Sequence, residues 1–406
     1  MKRGGMYFVA VIASAAVSLL TIPVVISVAG PTSWSGLIVG QTVGAVFAVV
    51  VGFGWSVTGP ATISAMQPSE RVVYFAGSLV TRVGLLIVTA IPYGLVVYLV
   101  SPTDTSWFVN AVAGGCVLAT GISSSWFFVG ESDPARLLLY ESAPRVLAAI
   151  VAAAALIGSG LVWVFVGVQA LGELFIACTS AASILRRERG LRLNLSVRAA
   201  CQRLGENSAG AMTAITSTAY LQAPLLIVSS LGYSDLSAFA LADKVQKFST
   251  RMLSPVYQVS QGYVPAMPDL QVTLARSKAA AYAAGALAIV CASLFAVVLP
   301  VMSGPLSAGG IEVDLAMSVP FAGALMFVVV TGVIGPACLV ALGRARSVAL
   351  STVAGALAGV PVAFVFGIGW GAEGVAWSVV LAEGVVLTYQ VLALRKVSKS
   401  LLASET

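Results

Sequence analysis

Four charged side chains stand close together in a stretch otherwise apolar enough to cross a bilayer. They are Asp243, Lys244, Lys247 and Arg251, within residues 237–265, SAFALADKVQKFSTRMLSPVYQVSQGYVP. At about 100° per residue, Ser237, Asp243, Lys244, Lys247, Arg251, Ser254, Gln258 and Gln261 fall within an arc of about 120°, with Val245, Met252, Leu253 and Val256 outside it. A charge near the bilayer centre costs about 3 kcal/mol or considerably more, so this stripe must face protein or a water-filled cavity. Such a face offers noncovalent binding. Histidine is absent from the chain, which removes histidine bases and imidazole metal sites.

The other charges at membrane depth are Arg82, Glu173 and Glu383, with Glu206 at the edge of a span. Arg82 lies ten residues, about 15 Å, inside its span, too deep for easy snorkelling. It either faces a cavity or pairs with Glu173 or Glu383. Asp243 has Lys247 four residues on and can neutralise it, whereas Arg251 has no acid within a turn. Glu173, Asp243 and Glu383 are candidate coupling acids for protons or sodium, or equally structural acids. Asn207, Thr213, Thr216, Ser217, Tyr220 and Gln222 form a polar set that suits sugar hydroxyls or cements helices. The five cysteines, without CxxC spacing, read as small core packers.

These residues need a membrane scaffold. Across 406 residues, 59% are hydrophobic and 9% charged, far from soluble usage. Twelve apolar runs are separated by charged or Gly/Pro/Ser-rich breaks: 6–29, 36–64, 72–100, 107–129, 144–157, 161–185, 209–231, 237–265, 279–302, 315–342, 348–366 and 375–394. Most reach the ~20 residues that a spanning helix needs. The fifth is the weakest and follows the amphipathic RLLLYESAPR. With the N-terminus in the cytoplasm, 18 of the 22 Lys and Arg fall in cytoplasmic connections and none in the opposite ones, as the positive-inside rule requires. The first run could pass for a signal peptide, but cleavage would leave eleven spans and a basic tail outside. The expected fold is therefore an all-α membrane protein with twelve transmembrane helices and both termini cytoplasmic.

The longest basic connection lies near the midpoint with six runs on either side. Glu173 and Glu383 occupy matching places in the sixth and twelfth runs, and the outer turn before the second run parallels that before the eighth. Two parallel six-helix lobes follow, related by an axis along the membrane normal. Their expected bounds are 1–190 and 206–394, with a cytoplasmic linker at 191–205 and a tail at 395–406. A substrate would sit in the cleft between them.

The segment SLGYSDLSAFALADKVQKFSTRMLSPVYQVSQGYVPAM, with GFGWSVTGPATIS at 52–64 and GIGWGAEGVAWSVVLAEGVVL at 367–387, resembles bacterial oligosaccharide flippases of the multidrug/oligosaccharidyl-lipid/polysaccharide exporter (MOP) superfamily. The resemblance implies a bacterial cytoplasmic-membrane flippase that moves undecaprenyl-diphosphate-linked oligosaccharide repeat units by alternating access through a cationic central cavity. Arg82, Lys244, Lys247 and Arg251 would line that cavity, with Gln222 and Gln258 beside the substrate. A diphosphate would engage Lys247 and Arg251 through charge-assisted bonds. No cofactor beyond a coupling proton or sodium ion is implied. The implied partners are membrane lipids and polysaccharide assembly proteins, with no nucleic acid. Lipid II flippases normally add two C-terminal helices that nothing after Leu394 supplies. Multidrug exporters commonly carry an acid in the first helix, and residues 6–29 hold no charge. The competing functions are cation-coupled export of small organic ions and a membrane enzyme of polysaccharide assembly. An enzyme of that kind needs a sizeable outer loop, and the longest here is about residues 303–314.

Overall fold

The computed structural model describes residues 2–188, 196–265 and 270–403. The described chain is almost wholly helical: α1 Lys2–Gly52, α2 Trp55–Ala65, α3 Pro68–Val100, α4 Trp107–Ala119, α5 Ser125–Gly130, α6 Pro134–Leu137, α7 Ala143–Ser159, α8 Val162–Leu185, α9 Val197–Ser230, α10 Leu236–Met252, α11 Ser254–Tyr263, α12 Leu270–Leu306, α13 Leu315–Val333 and α14 Ala345–Ala403. Among the described residues, nine helical segments are long and apolar enough to cross a membrane. This makes a multi-pass membrane protein, because only helices and closed barrels satisfy their backbone in lipid.

The nine segments and the twelve apolar runs are reconciled by where helices break. The longest two, Val17–Ala65 and Ala345–Lys399, each hold two runs. The first is interrupted at Gly30 (φ 82°), just before Pro31, and the second at Trp370 and Gly371. Proline has no N–H for the helix ladder, and glycine accepts the positive φ that the interruption needs. The eighth run divides at Leu253 into α10, of 17 residues, and α11, of 10, with Pro255 at the start of the second piece. At 1.5 Å per residue neither piece alone spans the ~30 Å hydrocarbon core. The arc of about 120° expected over 237–265 assumed one continuous helix, so its phase holds only up to this break.

The chain forms two compact units. Unit 1 comprises the residues up to Gln222 together with Leu306–Gly310; unit 2 comprises Ala223–Pro305 and the residues from Ile311 onward. Part of the expected linker, 191–195, and the end of the tail, 404–406, lie outside the described residues. Val197 already begins α9, so that helix starts well before its apolar run does. The early part of α9 is seated in unit 1: Asn207 accepts a 2.7 Å bond from Thr58 Oγ1, and Arg203 donates to Thr81 Oγ1 at 3.4 Å.

Unit 1 packs around Trp55, Phe75, Trp126, Phe127, Phe128 and Ile184. Unit 2 packs around Val264, Val333, Ala337, Cys338 and Leu339. Ile91, Val88 and Val290 are well exposed, as residues that meet lipid tails would be. Both units share a local plan. In unit 1, Phe53 (φ 37°) and Gly54 (φ 78°) separate α1 from α2, and a 3₁₀ turn at Thr120–Ile122 with extended Ser123 separates α4 from α5. In unit 2 the eighth run breaks at Leu253, and α13 gives way to a π-helical segment at Ile334–Leu339. The second and fourth runs of each half are therefore two-piece helices.

Candidate functional site

In unit 2, the sequence-predicted cations share α10. Lys247 Nζ donates to Asp243 Oδ2 at 2.7 Å, one turn apart. Lys244, Lys247 and Asp243 are half-buried. Arg251 occupies the last turn of α10, exposed, with no hydrogen bond or ion pair among the described residues. A cation there also complements the partial negative charge of the helix C-terminus. Past the break, Gln258 is exposed on α11. The rest of α10 is buried through Phe239, Ala240, Leu241 and Ala242, and the Phe239 ring meets Phe321 edge to face at 5.1 Å. Four successive residues cover every side of the helix, so α10 is enclosed all round at that turn, and its charged residues lie at the less buried positions that follow. Glu383, on α14 of the same unit, is buried.

Unit 1 holds Arg82, Glu173 and Gln222. Gln222 is half-buried on α9. Arg82 takes neither of its two expected positions. It is 1% exposed, so it does not line an open cavity, and it pairs with neither Glu173 nor Glu383. Its Nη1 donates to the carbonyls of Ser123 at 2.8 Å and Gly121 at 3.3 Å, its Nη2 approaches Ser78 Oγ at 3.4 Å, and the guanidinium lies 5.4 Å from the Trp126 ring centre and 5.9 Å from that of Phe75. The physical reason is the broken fourth run. Its first half ends with free carbonyls that lipid cannot satisfy, and a buried guanidinium does so.

Glu173 is claimed by Arg145, whose Nε and Nη2 reach its two oxygens at 2.7 and 3.1 Å. Arg145 Nη2 also lies 3.4 Å from Glu141. Glu141, 1% exposed, accepts the Ser124 N–H and the Ser123 hydroxyl, each at 2.9 Å. Sequence reasoning assigned Glu141 and Arg145 to a connection and so missed this network. Their i, i+4 spacing within RLLLYESAPR is the signal that could have found it. The π-helical turn Leu138–Ser142 carries Glu141.

No family model matches the chain, and no curated protein matches it. Solved structures do. The chain is similar to the lipid II flippase MurJ in an inward closed conformation, at TM-score 0.71 and 12% identity, over 96% of this chain and 87% of that one. It is similar to an inward-facing multidrug resistance MATE family transporter of the MOP superfamily at TM-score 0.65 and 12% identity, over 95% and 96%. A eukaryotic MATE transporter matches at TM-score 0.62 and 13% identity, over 98% of each chain. At such identities the likeness concerns the fold alone: the chain shares the fold of these solved flippase and transporter structures.

Proposed function

We propose that this protein is a flippase of the bacterial cytoplasmic membrane for undecaprenyl-diphosphate-linked oligosaccharide, working by alternating access of two six-helix lobes around a cationic cavity. The observation that carries the reading is the face of α10 with Lys244, Lys247 and Arg251 against a single acid, Asp243. A lipid-linked diphosphate brings at least two negative charges to such a face. Arg251 matches phosphate oxygens with its planar fork, and the lysines act as point charges that release readily. Gln258 and Gln222 are suited to sugar hydroxyls. The likeness to a lipid II flippase adds support from the fold. The twelve runs, all on helices, supply the spans once the two longest segments are divided at their interruptions and α10 with α11 crosses as a pair. Arg82 is not part of the binding face in this proposal, because it is buried in unit 1 with its Nη1 bound to the backbone carbonyls of Gly121 and Ser123.

The test is reconstitution into liposomes with two probes, a fluorescent polyprenyl-diphosphate oligosaccharide and a quaternary ammonium dye. Accelerated loss of the first to a membrane-impermeant quencher, without dye transport, is the expected result. Dye transport alone establishes instead the export of small organic ions. Lipid II as a third probe addresses the other diphosphate substrate, since its head group presents the same two phosphates to α10.

A further inference from the structure

The two helix breaks of unit 1 are neighbours. A Cβ built on Gly52, where α1 ends, would lie 3.7 Å from the Gly121 carbonyl, and one on Gly121 would lie 2.6 Å from the Ala48 carbonyl and 2.7 Å from Val51. Beyond the breaks the half-helices pack closely. Gly59 of α2 lies against the Trp126 indole of α5, and a Cβ on Gly130 would lie 2.8 Å from Ile63 and 2.9 Å from the Pro60 carbonyl. The break of α1 is strained, because Phe53 holds φ 37°, a region costly for a bulky side chain. The break between α4 and α5 is bound from two sides. Arg82 holds the carbonyls of its first half, and Glu141 holds the Ser124 N–H and the Ser123 hydroxyl. Each charge has the sign that the local helix end calls for: positive beside carbonyls, negative beside an N–H. Arg145 in turn bridges Glu141 and Glu173.

We infer that α2 and α5 form a single gate body. It swings on the paired breaks at Phe53–Gly54 and Thr120–Ser124 and is latched by Arg82 and Glu141. Ser123 is the centre of the latch, since its carbonyl is bound by the cation and its hydroxyl by the acid. The gate is tied to α9 through the Thr58–Asn207 bond, so its motion reaches a helix that continues past Gln222 into unit 2. The latch concerns unit 1 alone and does not depend on which substrate is carried.

Hydrogen–deuterium exchange of the full chain in detergent micelles, read by peptide, tests this. Ser123→Ala leaves both charges in place and removes the hydroxyl's bond to Glu141 together with its bonds to the Ser125 N–H and hydroxyl. Loss of the Ser125 bonds alone acts next to the substitution; loss of the latch should speed exchange at least about threefold, the effect of one modest hydrogen bond, in residues 55–65 and 120–133 together, with 107–118 and 72–100 unchanged. Arg82→Lys and Glu141→Gln should give larger rises in the same two segments. Where either of these fails to fold, Ser123→Ala carries the test. Gly59→Ala pushes a methyl into the Trp126 ring and uncouples the half-helices. In that background Ser123→Ala should speed 120–133 and no longer 55–65. Three results overturn the gate: no change with Ser123→Ala, a change confined to 120–124, or an even rise across unit 1.

Discussion

Arg251 and Asp243 stand two turns apart on α10 in different circumstances. Asp243 is bound to Lys247 at 2.7 Å, and Arg251 projects into the open at the end of the helix. If the binding face works as proposed, Arg251→Ala abolishes glycan export while the protein remains inserted. Arg251→Lys keeps the charge but loses the bidentate fork, and retains part of the export. Asp243→Asn is milder, because an amide oxygen still accepts from Lys247. Complementation of a deletion strain, scored by surface polysaccharide and membrane protein level together, decides; full export by Arg251→Ala removes the residue from the binding role. The acid in unit 1 follows different logic. Glu173 is committed to Arg145, so Glu173→Gln should lower the melting temperature in detergent by several degrees without changing any dependence of transport on pH or sodium. Pairing it with Arg145→Met should deepen that loss, since Arg145 also serves the buried Glu141 and the second change leaves that carboxylate without its cation. Loss of ion dependence in a folded Glu173→Gln protein would make the residue a coupling acid.

At the scale of elements, the apolar runs were legible because spanning helices need length and apolarity, and both are written locally. The Asp243–Lys247 pair was legible too, as a spacing of four on one helix. The breaks were not. The run 107–129 reads as one helix, and nothing in GISSSWFF announces that Arg82, some forty residues earlier, caps its interruption. A buried arginine bound to carbonyls and one lining a cavity look identical in sequence, since what differs is the partner and not the residue. The break of α1 is more visible, in GFGW, where Gly54 adopts φ 78° and a Cβ there would lie 2.5 Å from the Ala211 amide nitrogen. Gly54→Ala should therefore cost about 1–2 kcal/mol from the left-handed backbone alone, with the overlap on α9 added. Gly84→Ala on α3, where a Cβ would meet nothing within 4 Å, should leave thermal stability unchanged or slightly raised. Equal melting temperatures for the two variants would contradict the geometry of the break.

For the whole molecule, the open structural question is how many times the chain crosses the membrane and which side holds its ends. Length and hydropathy identify nine segments among the described residues, but the placement of charge carries further information. Eighteen of the 22 Lys and Arg cluster at alternate connections, and the intervening ones hold acids only. Under the positive-inside rule that pattern requires Val17–Ala65 and Ala345–Lys399 each to cross twice, turning near Gly30 and near Gly371, and α10 with α11 to cross as a pair. Each requirement can be read separately. Single cysteines at Ser33, Asp104, Ser234 and Glu373 in a cysteine-free background should react with a membrane-impermeant maleimide in intact cells. Cysteines at Gln67, Ser132, Arg344 and Ser398 should react only after the membrane is opened. The pair at Ser234 and Arg344 matters most, since it brackets the broken eighth run: an even number of crossings between them would place both on one side. Labelling of Arg344→Cys in intact cells would mean that α10 and α11 do not cross together, and would take the cations of α10 out of the membrane and with them the argument for a buried anion-binding face.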